Sequence, residues 1–248
     1  MPKLAAIFLI FFKVTLVSAQ DTAFFDNHGQ RVNTLENCQF YTITYKDSPE
    51  INKATEKSYS KEGQIISENT FLLPIDNDKL EHRNKIYDGK FKTWYQNGLL
   101  HEEIDYTSGK KNGKLLTYWQ NGKAKREDIL SEGVLIKGNC FSSTGSDTAY
   151  YDYERIPEFP GGTEKYKKYL LDNLITTWTT IEGKVIVQFS IGLDGSIINL
   201  KVVQSANPEL DNRALSIIER MPHWTPAYQD GIPKIYTQRQ GFVFKKNK

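Results

Sequence analysis

His28, His82, His101 and His223 are the four histidines of this 248-residue chain, and no two of them stand at the spacing that metal ligands need. The sequence has no Gly-x-Ser-x-Gly elbow, no paired-carboxylate motif and no reactive-cysteine context. Asp76-Asn-Asp78 has the acids of a calcium loop but lacks its spaced ligands and closing glutamate, so it reads as a solvated turn. Gly109-Lys-Lys-Asn-Gly-Lys114 has the glycines and lysine of a phosphate loop. Its spacing is one residue short and no Ser or Thr follows Lys114, so that reading is rejected. Cys38 and Cys140 are the only cysteines, and the sequence leaves two readings open: a disulfide in an oxidising compartment or two buried thiols. These residues point away from catalysis. The expectation is a protein that is not an enzyme and uses no cofactor and no metal.

The stretch from Gly183 to Phe244 shows the clearest order. Val185, Val187, Phe189 and Ile191 alternate with mostly polar residues, the period of a strand with one buried face. Leu193-Asp-Gly-Ser196 should turn the chain, with Asp194-Gly195 accepting positive φ. Ile197, Leu200 and Val202 on the returning strand do not share one parity, so a bulge is expected between Ile197 and Leu200. Asn207-Pro-Glu-Leu210 caps a helix whose apolar stripe is Leu210, Ala214, Ile217, Ile218 and Met221, and Pro222 closes it. Trp224-Thr-Pro226 and Asp230-Gly231 lead into a last strand, Lys234 to Phe244. Upstream, Gly161-Gly162 opens a helix expected to be capped by Thr163. Its Tyr166, Tyr169, Leu170 and Leu174 should pack on the sheet.

Residues 89–127 hold an internal repeat. Gly89-Lys-Phe-Lys-Thr-Trp-Tyr-Gln-Asn-Gly98 returns 24 residues later as Gly113-Lys-Leu-Leu-Thr-Tyr-Trp-Gln-Asn-Gly122. Each copy reads as a strand ending in Asn-Gly, the residues of a two-residue hairpin turn. Phe141-Ser-Ser-Thr-Gly145 reads as a worn third copy, and Tyr59 to Ile66 as a degenerate earlier one. Alternation sends one of Trp94 and Tyr95, and one of Tyr118 and Trp119, to each face. Hairpins of this kind cannot bury a face alone and should stack into one elongated sheet.

Residues 1–19 read as an export signal: Lys3, an apolar run from Leu4 to Phe12, then Val17-Ser18-Ala19 before Gln20. An uncleaved anchor is the alternative, but Lys13 leaves the run too short for a bilayer. The formal charge of +2 includes Lys3 and Lys13, so the chain from Gln20 onward is formally neutral. That gives no general field for nucleic acid or an anionic membrane.

Together these elements describe an α+β protein. A sheet of repeated β-hairpins occupies 20–146, clearest over 89–127. A small two-helix, three-stranded antiparallel domain occupies 147–248. The repeat resembles the MORN type, in the variant found in exported and antitoxin-like bacterial proteins. The C-terminal domain resembles the TonB C-terminal family. That resemblance rests on Gly183-Lys-Val185, Phe189, Leu193-Asp-Gly195, Val202, Ser205, Leu210-Asp211, Ala214-Leu215, Met221-Pro222, Trp224, Pro226, Gly231 and Pro233. It extends upstream to Pro157-Glu-Phe-Pro-Gly-Gly162. The sequence departs from the family at Thr176-Thr-Trp-Thr-Thr180 and at Arg239-Gln240-Gly241, where prolines are usual.

The resemblance implies a periplasmic module of the Gram-negative envelope, linked to transmembrane transport. It would add an extended segment of a protein partner, such as a TonB-dependent outer-membrane receptor, to its last strand, with Ile235, Tyr236, Thr237, Gln238, Arg239 and Gln240 as the binding edge. A homodimer is compatible with such an edge. An energy transducer of this family also needs a spanning helix and a Pro-rich linker, which the sequence lacks, so the chain is not expected to couple proton flow by itself. The alternative is a structural or scaffolding envelope protein that uses the sheet and the C-terminal domain for assembly, without a transport role. N-terminal sequencing of exported protein should begin at Gln20. Material that starts at Met1 and fractionates with the inner membrane would overturn that expectation.

Overall fold

The computed structural model describes residues 19–48, 51–73, 85–175 and 181–245. The signal segment up to Ser18, the Asp76–Asp78 turn, His82 and the Thr176–Thr180 departure lie outside the described residues. The chain divides into two compact units, 1–150 and 151–248.

Eleven described strands of the N-terminal unit form one antiparallel sheet. They are β1 (Ala19–Phe25), β2 (Arg31–Val32), β3 (Phe40–Ser48), β4 (Ile51–Ser60), β5 (Ile65–Leu72), β6 (Ile86–Trp94), β7 (Leu100–Thr107), β8 (Lys110–Tyr118), β9 (Ala124–Ser131), β10 (Val134–Phe141) and β11 (Asp147–Thr148). From β3 to β11 the order is a simple meander, and β1 lies between β3 and β2. One face is buried through Glu56, Asn69, Ile104, Leu115, Asp128 and Arg126. The opposite face is laced by the cross-strand ion pairs Lys57–Glu68 (3.0 Å), Lys92–Glu103 (3.4 Å) and Lys90–Asp105 (2.9 Å). Cys38 and Cys140 are both buried and free, with strands β4 to β9 between them.

The turns differ from the expected two-residue form. Tyr95 N–H donates to Leu99 O (2.9 Å) and Gly98 N–H to Tyr95 O (2.9 Å), and Trp119, Gly122 and Lys123 repeat the pattern at 2.8 Å each. Gly98 and Gly122 have φ of 80°, but Asn97 and Asn121 are not in the positive-φ region. These are three-residue loops, a tight turn followed by one left-handed glycine. The asparagines have another task. Each Oδ1 accepts the N–H two residues on, Leu99 or Lys123, both at 3.1 Å. Each Nδ2 reaches the next loop, Asn97 to Gln120 O and Asn121 to Ser143 O, both at 2.9 Å. Ser142–Ser146 closes with the same bonds at 2.8 and 2.9 Å.

Two-residue turns with both central φ positive do occur, at the other end of the strands. They are Ser108-Gly109 (48° and 83°) and Glu132-Gly133 (51° and 85°). The aromatic pairs are explained by the same ladder. Tyr95 and Trp119 sit one residue past their strands, and their polar atoms donate to the ends of the strands that enter the next loop: Tyr95 Oη to Tyr118 O (2.6 Å) and Trp119 Nε1 to Phe141 O (3.0 Å).

The C-terminal unit holds β12 (Glu154–Arg155), α1 (Gly162–Ile175), β13 (Gly183–Ile191), β14 (Ile197–Gln204), α2 (Pro208–Glu219), β15 (Ala227–Gln229), β16 (Ile232–Lys234) and β17 (Tyr236–Phe244). The main sheet has the order β14-β13-β17, all antiparallel. Val185, Val187, Phe189 and Ile191 of its central strand are fully buried against Leu210, Ala214, Ile217 and Ile218 of α2 and the aromatic residues Phe159 and Trp224. The expected bulge in β14 is present: the register slips between Ile198 and Lys201, and Asn199 sits at φ 53°. The slip turns Ile197, Leu200 and Val202 all toward the core. Asn207 caps α2 by accepting the Glu209 N–H at 2.8 Å, with Pro208 in the first turn. α1 starts at Gly162, whose φ is 82°, two residues before the Glu164 start that a Thr163 cap would give. Sequence reading missed β12, β15 and β16, a second small sheet closed by Asp230-Gly231 with φ of 48° and 77°. Lys234 belongs to that sheet, so the last strand begins at Tyr236.

The hairpin tip docks on the segment after α2. Trp224 N–H donates to Gly195 O at 2.8 Å, and a Cβ on Gly195 would lie 1.9 Å from the Trp224 carbonyl oxygen. Gly195→Ala should therefore cost about 2–4 kcal/mol, since strain at its φ of 84° adds to the collision. Gly122→Val should cost roughly 1–3 kcal/mol through φ strain alone. Chemical denaturation of both variants checks this, and an unchanged midpoint for either would refute its assigned turn.

Candidate functional site

β13 occupies the centre of its sheet, which leaves β14 and β17 as edges, and no described strand pairs with the outer side of β17. The register runs from Gly183 opposite Phe244 to Ile191 opposite Tyr236 without a break. In such a ladder, successive residues point their N–H and C=O groups alternately to the two sides. Gly192 aims at β14, because its N–H donates to Ser196 O at 2.8 Å. Ile191 therefore aims at β17, and Tyr236, Gln238 and Gln240 answer it from the other strand. The outward-facing backbone groups belong to Thr237, Arg239, Gly241 and Val243.

This alternation sorts the expected edge residues. Thr237 and Arg239 present free backbone to the open side. Tyr236, Gln238 and Gln240 present only side chains there, since their backbone is spent on β13. Ile235 lies between β16 and β17 and is exposed. Gly241 and Val243 were missed, although period-two counting from Thr237 reaches both.

The side chains alternate as well. Tyr236, Gln238, Gln240, Phe242 and Phe244 share the core face, and Thr237, Arg239, Gly241 and Val243 the open face. On the open face Ser190 and Thr237 hydroxyls lie 2.7 Å apart, and Arg239 Nε donates to Gln188 Oε1 at 3.2 Å. Lys184 and Lys201 share that face by register with Arg239, and among the described residues of β13, β14 and β17 no carboxylate joins them there. Apart from its chain neighbours, Gly241 has no atom within 4 Å of where a Cβ would stand, so the face is bare at this point of the edge strand.

Two glutamines sit on the core face, where β13 offers only Phe189 and Val187 opposite them. Gln240 is held from both ends: Tyr166 Oη of α1 donates to its Oε1 at 2.8 Å, and its Nε2 donates to Gly241 O at 2.8 Å. That second bond covers an edge carbonyl. Gln238 differs, because its Nε2 is buried without a hydrogen-bond acceptor. Tyr166 is fixed by rings around it, with Trp224 at 5.1 Å and Phe159 at 5.5 Å between centroids. Phe159 comes from the segment where Glu158 and Thr225 exchange backbone bonds of 3.0 and 2.8 Å. That segment is therefore part of the domain. Burial pushes the Tyr166 phenol up to about 12. Sequence reading took Tyr166 as plain core, and no feature of the sequence marks its hydroxyl as a tie to β17.

Among the described residues no helix is long and apolar enough to cross a membrane. Residues 179–245 match the family model of the Gram-negative bacterial TonB protein C-terminal region. No curated protein and no solved structure matches the chain. The match covers β13 to β17 and stops short of α1, β12 and Phe159, which the fold places in the same unit. Over residues 179–245 the segment is thus of the TonB C-terminal type.

Tyr166 gives a test of the packing around the edge. A phenol with folded pKa raised above its unfolded value stabilises the fold fully below about 10 and loses that contribution as pH rises toward about 12. Tyr166→Phe should flatten alkaline unfolding in that window and, by losing the bond to Gln240, cost about 1 kcal/mol at neutral pH. Thermal melts at pH 7 and pH 11 check both. An identical alkaline loss in wild type and variant would refute the assignment.

Proposed function

We propose that the chain is a binding protein of the cell envelope whose C-terminal unit captures an extended segment of a protein partner by adding it as a fourth strand beside β17. The observation that carries this reading is the outer side of β17, which no described strand pairs and where the N–H groups of Thr237, Arg239, Gly241 and Val243 point outward. Backbone groups there offer affinity without chemistry, and alternate side chains offer selection. The partner class is the short N-terminal segment of an outer-membrane receptor, in keeping with the TonB-type match over 179–245. The protein acts in the periplasm and serves transport by holding such segments. The role is binding rather than catalysis.

A second reading draws on the N-terminal unit. Its loops tie to one another through asparagine and aromatic donors, as MORN-type repeats stacked in one sheet would, and its laddered charges make a wide polar face. Such a sheet suits a scaffold that positions the C-terminal module or a wall component.

Capture of detergent-solubilised outer-membrane receptors on the immobilised chain separates these roles. Thr237→Pro removes an outward N–H while sparing the backbone bonds to β13, and Thr237→Ala gives up the same hydroxyl bond to Ser190 but keeps the N–H, so the proline variant should reduce capture at least about tenfold relative to the alanine variant with little further change in melting temperature. Equal capture by the two variants would overturn the edge reading. Capture that depends only on residues 20–146 would favour the scaffold.

A further inference from the structure

Gln240 does more than fill its place in β17. Its side chain belongs to the core face, yet its Nε2 donates to the carbonyl of the next residue, Gly241, at 2.8 Å. Gly241 is one of the outward-facing residues, so that carbonyl is an acceptor an added strand would use. The amide is also held in place from behind. Tyr166 Oη donates to its Oε1 at 2.8 Å, and the Tyr166 ring packs against Phe159 and Trp224, with centroids 5.5 and 5.1 Å away. The other end of the edge is arranged differently. Thr237 and Arg239 turn their side chains to Ser190 and Gln188 on the open face, away from the backbone groups of the edge.

We propose that Gln240 is a specificity-determining residue that limits how far a docked strand pairs along β17. Thr237 and Arg239 take full backbone pairs, Gly241 does not, and Tyr166 is the positioning residue that keeps the block in place. The inference rests on the edge-binding reading above. In a ladder each outward residue donates its N–H and accepts at its C=O. Whichever way the partner runs, one of its N–H groups falls to Gly241 O and meets an oxygen that already has a donor. A second lone pair remains on that oxygen. Using it means bringing a backbone to about 4.8 Å from β17, beside an amide nitrogen that already crowds the same acceptor. A donor enclosed between strands without its acceptor weakens the complex by more than the bond it would have made. A partner escapes that penalty by placing proline, which has no N–H, at this one step.

Nonapeptides from a random display library, selected on Gln240→Val, test this, because they are long enough to lie along the whole edge. Valine suits a strand and leaves Gly241 O uncovered. Each selected peptide should bind Gln240→Val about threefold to tenfold more tightly than it binds wild type. A proline scan of the peptide should find one position where proline weakens binding to Gln240→Val about tenfold and leaves binding to wild type unchanged. Tyr166→Phe keeps the amide but releases it. That variant should bind the parent peptide more tightly than wild type although it is less stable, a gain that a loosened domain would not give. Weaker binding by Tyr166→Phe than by wild type would overturn its positioning role. Arg239→Pro, which removes an outward N–H, should abolish the binding that Arg239→Ala retains. Two outcomes overturn the inference while sparing the edge reading: equal affinity of wild type and Gln240→Val for every peptide, or identical proline scans on the two. Peptides bound equally by Arg239→Pro and Arg239→Ala, or no peptide retained at all, would overturn the edge reading and this inference with it.

Discussion

Burial of one face of β13 is the constraint from which the rest of the C-terminal unit follows. Val185, Val187, Phe189 and Ile191 are all fully buried, and each is worth roughly 1.5–3 kcal/mol against exposure. Helices can cover that face only from one side, so α1 and α2 both lie there and the other face stays open. The hairpin after β13 must end where Trp224 passes, which leaves room only for a glycine at 195. With β14 placed by the hairpin, the last strand has one vacant side of β13 to occupy. It fills that place and becomes an edge. The free backbone of β17 is thus a consequence of the core.

The N-terminal unit solves a different problem. A long meander has little apolar matter to bury, and its buried face mixes Ile104 and Leu115 with Glu56, Asn69, Arg126 and Asp128. Order comes instead from hydrogen bonds that run between neighbouring loops. Tyr95, Asn97, Trp119 and Asn121 each donate to a carbonyl of the next loop or of the strand end that enters it. A repeat that recurs at fixed spacing can use the same donor each time. The identity of the aromatic matters less than its possession of a polar tip, since a phenol and an indole serve equally.

Edges of sheets invite unwanted pairing, and β17 shows both an invitation and a restraint. Gln240, braced by Tyr166, lies over the Gly241 carbonyl and occupies one of the outward acceptors. An incoming strand must compete for that group or work around it. Cations on the open face and the lone arginine beside Gln188 set a further bias on what approaches. Side chains thus flank the edge on both faces, with the outward backbone groups of Thr237, Arg239, Gly241 and Val243 between them.

Hydrophobic period was enough to place β13, β14 and α2, because Val185 to Ile191 and Leu210 to Ile218 keep strict periods of two and about 3.6. The odd parity of Ile197 and Leu200 was enough to locate a bulge, since three apolar residues must reach one core. Repetition located the loops at Gly98 and Gly122. Their form was not legible. Asn-Gly suits either loop, and the choice depended on carbonyls of the next hairpin that only the assembled sheet supplies. The true two-residue turns fell at Ser108-Gly109 and Glu132-Gly133, where local residue preference is weaker and strand register decides. The small sheet of β12, β15 and β16 has strands too short to carry a period. Which residues of the edge present free backbone was equally hidden, because that depends on which neighbour β13 bonds at each step. Sequence by itself determined β13, β14 and α2 and the face each one buries. Only the tertiary structure decided that Thr237, Arg239, Gly241 and Val243 face outward and that Gln238 is left unsatisfied beside them, since both follow from pairing across distant segments of the chain.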